Sequence, residues 1–404
     1  AIVRPAADWE LASYVADAAA KGWPIEVVGG GSKRQAGRPL DGMTVMSTHV
    51  LRGVRYYEPS ELVMSVQVGT TLAEVERDLA HRGQMLAFEP LDLGPVLGVE
   101  AGRSTMGGVF ATNLSGSRRV AVGAARDHLL GVRAVAGSGE IFGAGGRVHK
   151  NVTGYDLCRA VAGSWGTLAV LVETAFKVVP RPEETATLVL LDLTDEIAVE
   201  ALCAALATPH GVSGTVHLDA ALSQRLWHAG LRETGMAVTA LRLENFAGFL
   251  PRRIERVRDA LKHFGEVHVM DHDDSSAFWS ELRQLSVFQA TGNPLWRIST
   301  VPSRGAEVVQ GIRRYMDADA YYDWSGGLVW LEVPDAADAG ATDIRRVLAA
   351  SGGYATLIRG RPEVRGAVEV FQPMDPGLAR MTYALKSVFD PAGILGPGRM
   401  YQGC

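Results

Sequence analysis

Two glycine-bearing turns set close together constrain this chain more than anything else in it. Lys150-Asn151-Val152-Thr153-Gly154-Tyr155-Asp156-Leu157 is followed within a few residues by Gly163-Ser164-Trp165-Gly166-Thr167-Leu168, after which Val170, Val172, Phe176 and Val178 alternate as a strand does. Glycine admits backbone conformations and close approaches that a Cβ forbids. The pattern describes main chain drawn up to a flat ligand and anchored in a strand. Taken alone, two ordinary turns in an α+β domain fit it as well.

Upstream, the short β-type run Ile25-Glu26-Val27-Val28 leads into Gly29-Gly30-Gly31-Ser32-Lys33. Successive small residues there let backbone N–H groups converge on an anion such as a pyrophosphate. The G-x-G-x-x-G dinucleotide fingerprint is excluded, because its third glycine would fall on Arg34, and Gly37 and Pro39 stand where a helix should begin. A P-loop is excluded too, for want of the glycine four residues before a Lys-Ser/Thr pair. For this triplet by itself, a flexible turn remains the alternative.

A third segment adds Glu89-Pro90, Gly98, Gly102, Ser104-Thr105-Met106-Gly107-Gly108, Asn113, Ser115-Gly116, Gly123 and Asp127. Taken together, the GGGS loop, the T-x-G-G-x-x-A-x-N-x-S-G run, the K-N-x-x-G-Y-D-L loop and the G-S-x-G-T-L turn resemble the FAD domain of the p-cresol methylhydroxylase/vanillyl-alcohol oxidase superfamily. The match covers roughly residues 1 to 180 and returns at Phe389-Asp390-Pro391-Ala392-Gly393-Ile394-Leu395-Gly396-Pro397-Gly398-Arg399. Within that superfamily the chain is most similar to the FAD-binding E-type subunits of bacterial glycolate oxidase.

The resemblance implies FAD, held by Gly29, Gly30, Gly31, Ser32, Lys33, Pro90, Gly102, Ser104, Thr105, Gly107, Gly108, Asn113, Ser115, Gly116, Asp127, Lys150, Gly154, Tyr155, Asp156, Gly163, Gly166, Thr167 and Val172. Superfamily members that tether the flavin often place a histidine in the first loop; Gly31 and Ser32 stand there, so the FAD is expected to be non-covalent. Gly396 departs from the asparagine usual in the closing motif. The expected fold class is α+β: a superfamily-type FAD-binding domain over residues 1–182, made of two α/β subdomains (about 1–57 and 58–182), then an α+β cap with an antiparallel sheet over 183–375. A C-terminal helix and tail, 376–404, return to the FAD domain.

Local signals fill in this frame. Leu11, Val15, Ala18 and Ala19 recur at helical spacing after Asp8, a candidate N-cap; Thr71 with Glu74 forms a capping box for a helix ending near Gly83. Beyond Pro180-Arg181-Pro182, strands such as Ala186–Leu191 and Ala237–Leu243 alternate with helices such as Pro251–Phe264. Asp375-Pro376 opens a helix carrying Leu378, Met381, Leu385 and Val388, stopped at Asp390-Pro391. Tyr322, Trp324 and Trp330 read as cap core rather than ligand contacts.

For chemistry, oxidising a 2-hydroxy acid needs a group for the carboxylate, a base for the hydroxyl proton and a flavin to accept hydride. The resemblance points to Arg297, in Leu295-Trp296-Arg297-Ile298, as the carboxylate partner, with a structural ion pair as the alternative. The H-x-G-D-G-N-x-x-H run of related D-2-hydroxy-acid dehydrogenases is missing. His210 to His217 lacks its Asp and Asn and reads as a surface loop plus strand. His268 and His272 would lie about 13 Å apart on a strand, too far to share a metal, and no metal is expected.

Of 404 residues 47% are hydrophobic and 21% charged, enough for a large core, and a net charge of −5 argues against nucleic acid; Arg252, Arg253 and Arg258 read as a solvated helix face. Cys158, Cys203 and Cys404 include no C-x-x-C pair, so no iron–sulfur cluster resides here, and Cys158 reads as a small packed residue. The resemblance therefore implies partners: a D-type FAD subunit carrying the histidine motif and an F-type subunit carrying the iron–sulfur clusters, with a small 2-hydroxy acid such as glycolate as substrate. A flavin-stabilised scaffold or electron relay is the second reading; a stand-alone 2-hydroxy acid or alditol dehydrogenase is the third. No apolar run reaches the length of a membrane span and residues 1–4 lack signal-peptide character. The cytoplasm is expected, with access to the inner membrane face through partner subunits only.

Overall fold

The computed structural model describes residues 1–147 and 154–403, so Lys150 lies outside the described residues. The chain divides into two compact units, one comprising Ala1–Ser115, Gly123–Arg181 and Pro373–Cys404, the other Gly116–Val122 and Pro182–Gln372. Residues 116–122 thus pack with the second unit, although the sequence reading keeps them in the FAD-binding part.

In the first unit the helix Asp8–Lys21 buries Leu11, Val15 and Ala18, one stripe of its surface, and Gly22 ends it in the left-handed conformation. Its N-cap is Ala7, not Asp8. The Asp8 carboxylate accepts instead from Arg133, at 2.6 Å, a long-range partner that local capping rules do not foresee. Thr44–Ser47 lies between Ile2–Val3 and Ile25–Val28 in a parallel three-stranded sheet. The second sheet is antiparallel throughout, in the order Val54–Glu58, Val63–Gln67, Ala169–Lys177, Leu129–Ala136, Ile141–Gly145. Because Val54–Glu58 pairs there, the division between the two lobes precedes residue 54 rather than following 57. One apolar core joins both lobes, with Leu11, Ile25 and Met46 in the same cluster as Val66, Val170 and Phe176.

The expected capping box forms: Thr71 N–H donates to Glu74 and Glu74 N–H to Thr71 Oγ1, starting the helix Leu72–Ala80. The late helix Pro376–Phe389 is capped by Asp375 as its sequence suggests. Its apolar stripe points outward, however, with Leu378, Met381, Leu385 and Val388 all exposed. The inward side carries Lys386, whose ammonium donates to Thr167 O, Leu395 O and Asp390 Oδ2 at 2.7, 2.8 and 2.6 Å. Polar satisfaction of Lys386, together with the buried ring of Phe389, orients this helix.

The second unit is built on an eight-stranded antiparallel sheet. Its order is His268–Met270, Glu184–Leu191, Val238–Asn245, Val212–Leu218, Asp319–Asp323, Leu328–Glu332, Leu295–Ser299, Tyr354–Arg359. The helices Asp195–Leu206 and Leu250–Leu261 bury Leu202, Val257 and Leu261 against strand residues Leu188, Leu241 and Leu243. Tyr322, Trp324 and Trp330 are buried, as expected of cap core. Among the described residues no helix is long and apolar enough to cross a membrane.

Candidate functional site

The glycine triplet leaves the strand Ile25–Val28 and runs directly against residues 103–105. A Cβ on Gly30 would stand 1.7 Å from Arg103 O, and one on Gly29 would stand 2.3 Å from Thr105 Oγ1; Gly31 has φ +78°. The sequence reading reserves Gly30 for approach to a pyrophosphate. What the structure presses against it is the protein's own main chain, so the triplet first makes one loop lie on another. Residues 104–107 are held to the turn between the strand Val63–Gln67 and the helix Leu72–Ala80, with Leu72 N–H donating to Ser104 O, Met106 N–H to Thr70 O and Gly107 N–H to Val68 O at 2.8 to 2.9 Å. Thr105 then caps the short helix Met106–Thr112, which ends at Asn113 in the left-handed conformation.

These loops border an open cleft of about 780 Å³, counting the solvent at its mouth. It is lined by Gly29, Gly30, Gly31, Ser32, Lys33, Thr105, Gly107, Gly108 and Gly166 from the expected set. Glu26, Arg34, Thr48, Ala111, Thr112, Ser164, Trp165, Leu171 and Arg399 line it as well. Lys33 is buried and donates to Ser104 Oγ at 2.7 Å; burial lowers its pKa from 10.5 to about 8, with the charge of Asp92 opposing. Near it, a Cβ on Gly108 would meet nothing closer than 3.7 Å and would point toward Lys33 Nζ, 3.9 Å away. A buried ammonium facing open space above glycine backbone fits the diphosphate of FAD.

Arg399, at the end of the closing motif, is a wall of this cleft. Its guanidinium donates to Arg34 O at 3.2 Å and Lys33 O at 3.0 Å, and its own carbonyl accepts from Arg38 N–H. Glu26, buried behind, takes a two-point ion pair from Arg34. Gly396 has φ +52°, a conformation in which glycine and asparagine are both at home, so its departure from the family's asparagine is conformationally neutral.

The remaining expected residues separate into roles. Ser104 holds Lys33. Asn113 Oδ1 accepts from Arg126 N–H and Ser115 Oγ from Ala125 N–H, so both pin the turn before Leu129. Asp127 accepts from Ala124 N–H and pairs with Arg159. Gly163 N–H donates to Phe110 O, and Thr167 Oγ1 to Ser164 O, fastening the turn that carries Trp165 in a left-handed conformation. Pro90 and Val172 are buried away from the cleft lining, whereas Gly102 and Gly154 are exposed. Tyr155 is 92% exposed, and Asp156 caps the helix Leu157–Val161. Cys158 is buried, and burial raises its thiol pKa to about 11, as befits a packed, unreactive residue.

Gly116 belongs to the second unit, where its carbonyl accepts from Trp324 Nε1 at 3.0 Å. Arg297 lies in the same unit, at the centre of the strand Leu295–Ser299. It is only 8% exposed, its Nε has no partner, and burial lowers its pKa to about 10. Its guanidinium stands 5.2 Å from the Trp324 ring and 6.0 Å from that of Trp330, and it is hydrogen-bonded to Tyr354. The alternative expectation of a structural ion pair is not met: no carboxylate pairs with Arg297 among the described residues. His217 is buried in its strand, between Thr239 Oγ1 and Asp195. His268 and His272 are exposed, and among the described residues no three His, Cys, Asp or Glu side chains gather to hold a metal.

A family described as an FAD binding domain matches residues 1–145. The glycolate oxidase subunit GlcE of Escherichia coli (strain K12) is 35% identical over 384 residues, 94% of this chain and 93% of that protein. The glycolate oxidase subunit GlcD of Bacillus subtilis (strain 168) is 26% identical, over 94% of this chain and 84% of its own. Among solved structures, 4-ethylphenol oxidase from Gulosibacter chungangensis superposes with a TM-score of 0.73 at 15% identity, covering 99% of this chain and 89% of that one, a likeness of fold alone.

Proposed function

This chain belongs to the family of FAD-binding oxidoreductases that includes the glycolate oxidase subunit GlcE, and on that premise we propose that it is the E-type FAD subunit of a glycolate oxidase. It takes glycolate or a related small D-2-hydroxy acid to the 2-oxo acid. Electrons pass through its flavin to an iron–sulfur partner subunit, beside a D-type FAD subunit. The observation that carries the reading is the reach of the likeness to GlcE, which extends through both units over 94% of the chain, well beyond the FAD-binding region.

FAD, when bound, supplies the hydride acceptor. The chain's own residues hold it: the glycine triplet and Thr105 shape the cradle, Lys33 meets the diphosphate, and Arg399 keeps the loop in place. The flavin is non-covalent in this reading, since no histidine stands in the first loop. Arg297 binds the substrate carboxylate, which its buried, unpartnered Nε is suited to receive. The lack of an H-x-G-D-G-N run in the sequence keeps a second reading in view, in which this subunit relays electrons taken up elsewhere in the complex.

The test is a visible spectrum of the purified chain, recorded anaerobically before and after glycolate or D-lactate, and repeated on the complex co-expressed with D-type and F-type subunits. Bleaching in the isolated chain supports a competent half-reaction. Bleaching only in the complex supports the relay, and no flavin absorbance in either preparation overturns the proposal.

A further inference from the structure

The arginine-rich helix Leu250–Leu261, whose sequence reads as a solvated face, begins at an apolar tip. Phe246-Ala247-Gly248-Phe249 link it to the strand Val238–Asn245, and all four residues are exposed, Phe246 at 62% and Phe249 at 63%. Single exposed apolar side chains are ordinary, but an uninterrupted exposed run of four is out of place unless it has a use. The amides of this tip are already engaged: Phe246 N–H donates to Asn245 Oδ1 at 2.8 Å, Ala247 N–H to Glu183 Oε2 at 3.1 Å and Phe249 N–H to Phe246 O at 3.1 Å. Satisfied amides leave water without the cost that unpaired ones carry.

Basic charge stands directly behind the tip. The helix carries Arg252, Arg253, Arg256 and Arg258 against Glu255 and Asp259, and Lys262 follows it, a local positive surplus in a chain of net charge −5. Leu250, Val257 and Leu261 are buried, so Arg252 and Arg256, one turn apart, lie on the opposite, exposed side. None of the four arginines forms an ion pair among the described residues, which leaves their guanidiniums available to phosphate. The two rings offer only roughly 250 Å² of apolar contact, short of the about 800 Å² per partner that a stable protein interface buries. A bilayer asks for less: a few aromatic side chains at the acyl boundary and basic side chains at the headgroups.

We propose that Phe246 and Phe249 form a membrane-inserting tip and that Arg252, Arg253 and Arg256 bind the headgroup phosphates of an anionic bilayer beside it, so that this chain reaches a membrane surface without a partner subunit. The contact is peripheral: the helix keeps Leu250, Val257 and Leu261 packed in its own core, and only the turn before it enters the lipid. Each basic side chain near an anionic surface strengthens binding about fivefold, and salt screens the attraction, so the attachment is reversible and salt-sensitive. It holds whether the flavin oxidises the acid or relays electrons.

The test is co-sedimentation of the purified holoprotein with vesicles of phosphatidylcholine alone and of phosphatidylcholine mixed with phosphatidylglycerol, at low and at high salt. The parent is expected to bind the anionic vesicles at least tenfold more tightly than the neutral ones and to be released by salt. Phe246→Ser with Phe249→Ser, and separately Arg252→Gln with Arg253→Gln and Arg256→Gln, should each weaken that binding tenfold or more while flavin content and Tm hold. A Phe249→Trp variant should gain emission that brominated acyl chains quench in the anionic vesicles, which reports insertion even where a multiple variant folds poorly. No binding by the parent, equal binding to both kinds of vesicle, either folded variant set within twofold of the parent, or added emission untouched by bromine overturns the tip. If the parent ignores both vesicles and the same substitutions instead prevent assembly with co-expressed D-type and F-type subunits, the tip is a protein interface and the membrane assignment falls.

Discussion

At the scale of single residues, the glycines of the cleft do two different jobs, and substitution separates them. Gly30→Ala drives a methyl into Arg103 O, so it should lower stability by about 3 kcal/mol, the upper end for overpacking, and release the flavin. A thermal melt and the ratio of flavin to protein absorbance read both effects. Gly108→Ala has room for its methyl and should keep or raise Tm. It should nevertheless weaken FAD binding severalfold, because that methyl points at Lys33. Lys33 adds a pH dependence whose sign follows from its lowered pKa of about 8. An anionic diphosphate binds the charged lysine; below pH 8 the charge is already present, and above it a proton must be taken up. FAD affinity should therefore be flat below pH 8 and fall by up to about tenfold per unit above it, until the bound-state pKa is reached. Lys33→Met should bind more weakly and lose that slope, which a fluorescence titration across pH 6.5–9.5 would reveal. The triplet was legible in the sequence because a need for glycine is local. Its true neighbour was not, since a carbonyl oxygen such as that of Arg103 carries no residue signature.

Among elements, periodicity located several strands and helices and left their orientation open. The alternation through Val170 and Val172 and the Thr71–Glu74 box both became the structures they suggest. For Pro376–Phe389 the apolar stripe was plain in sequence, yet the helix turns it outward, because Lys386 must reach three acceptors on the inner side. Lys386→Met should accordingly cost about 3–5 kcal/mol, since it strands the buried Asp390 carboxylate and leaves two carbonyls short of a donor. Urea unfolding would show this as a lower midpoint at unchanged m-value. Replacing exposed Leu378 with Ser should move the midpoint by less than about 0.5 kcal/mol, the ordinary range for surface changes.

For the molecule as a whole, the division into units was readable from the fall in glycine density near Pro180, but the excursion of residues 116–122 was not. Seven residues are too few to shift composition, and their placement is decided by pairs such as Arg118–Glu244 that are 126 residues apart. Arg399 shows the same limit: the motif around it was recognised, while its grip on the glycine loop depends on a contact across 366 positions. Arg399→Met should leave the fold intact and lower FAD retention on a desalting column several-fold, measured against the parent at equal protein concentration. That long contact also sets a clock. The glycine loop emerges from the ribosome on the order of twenty to seventy seconds before Arg399, at roughly 5–20 residues per second. During that interval the nascent chain has a cradle without its latch, so flavin loading should follow the synthesis of Arg399. A cell short of flavin would then accumulate full-length, empty subunits rather than arrested nascent chains.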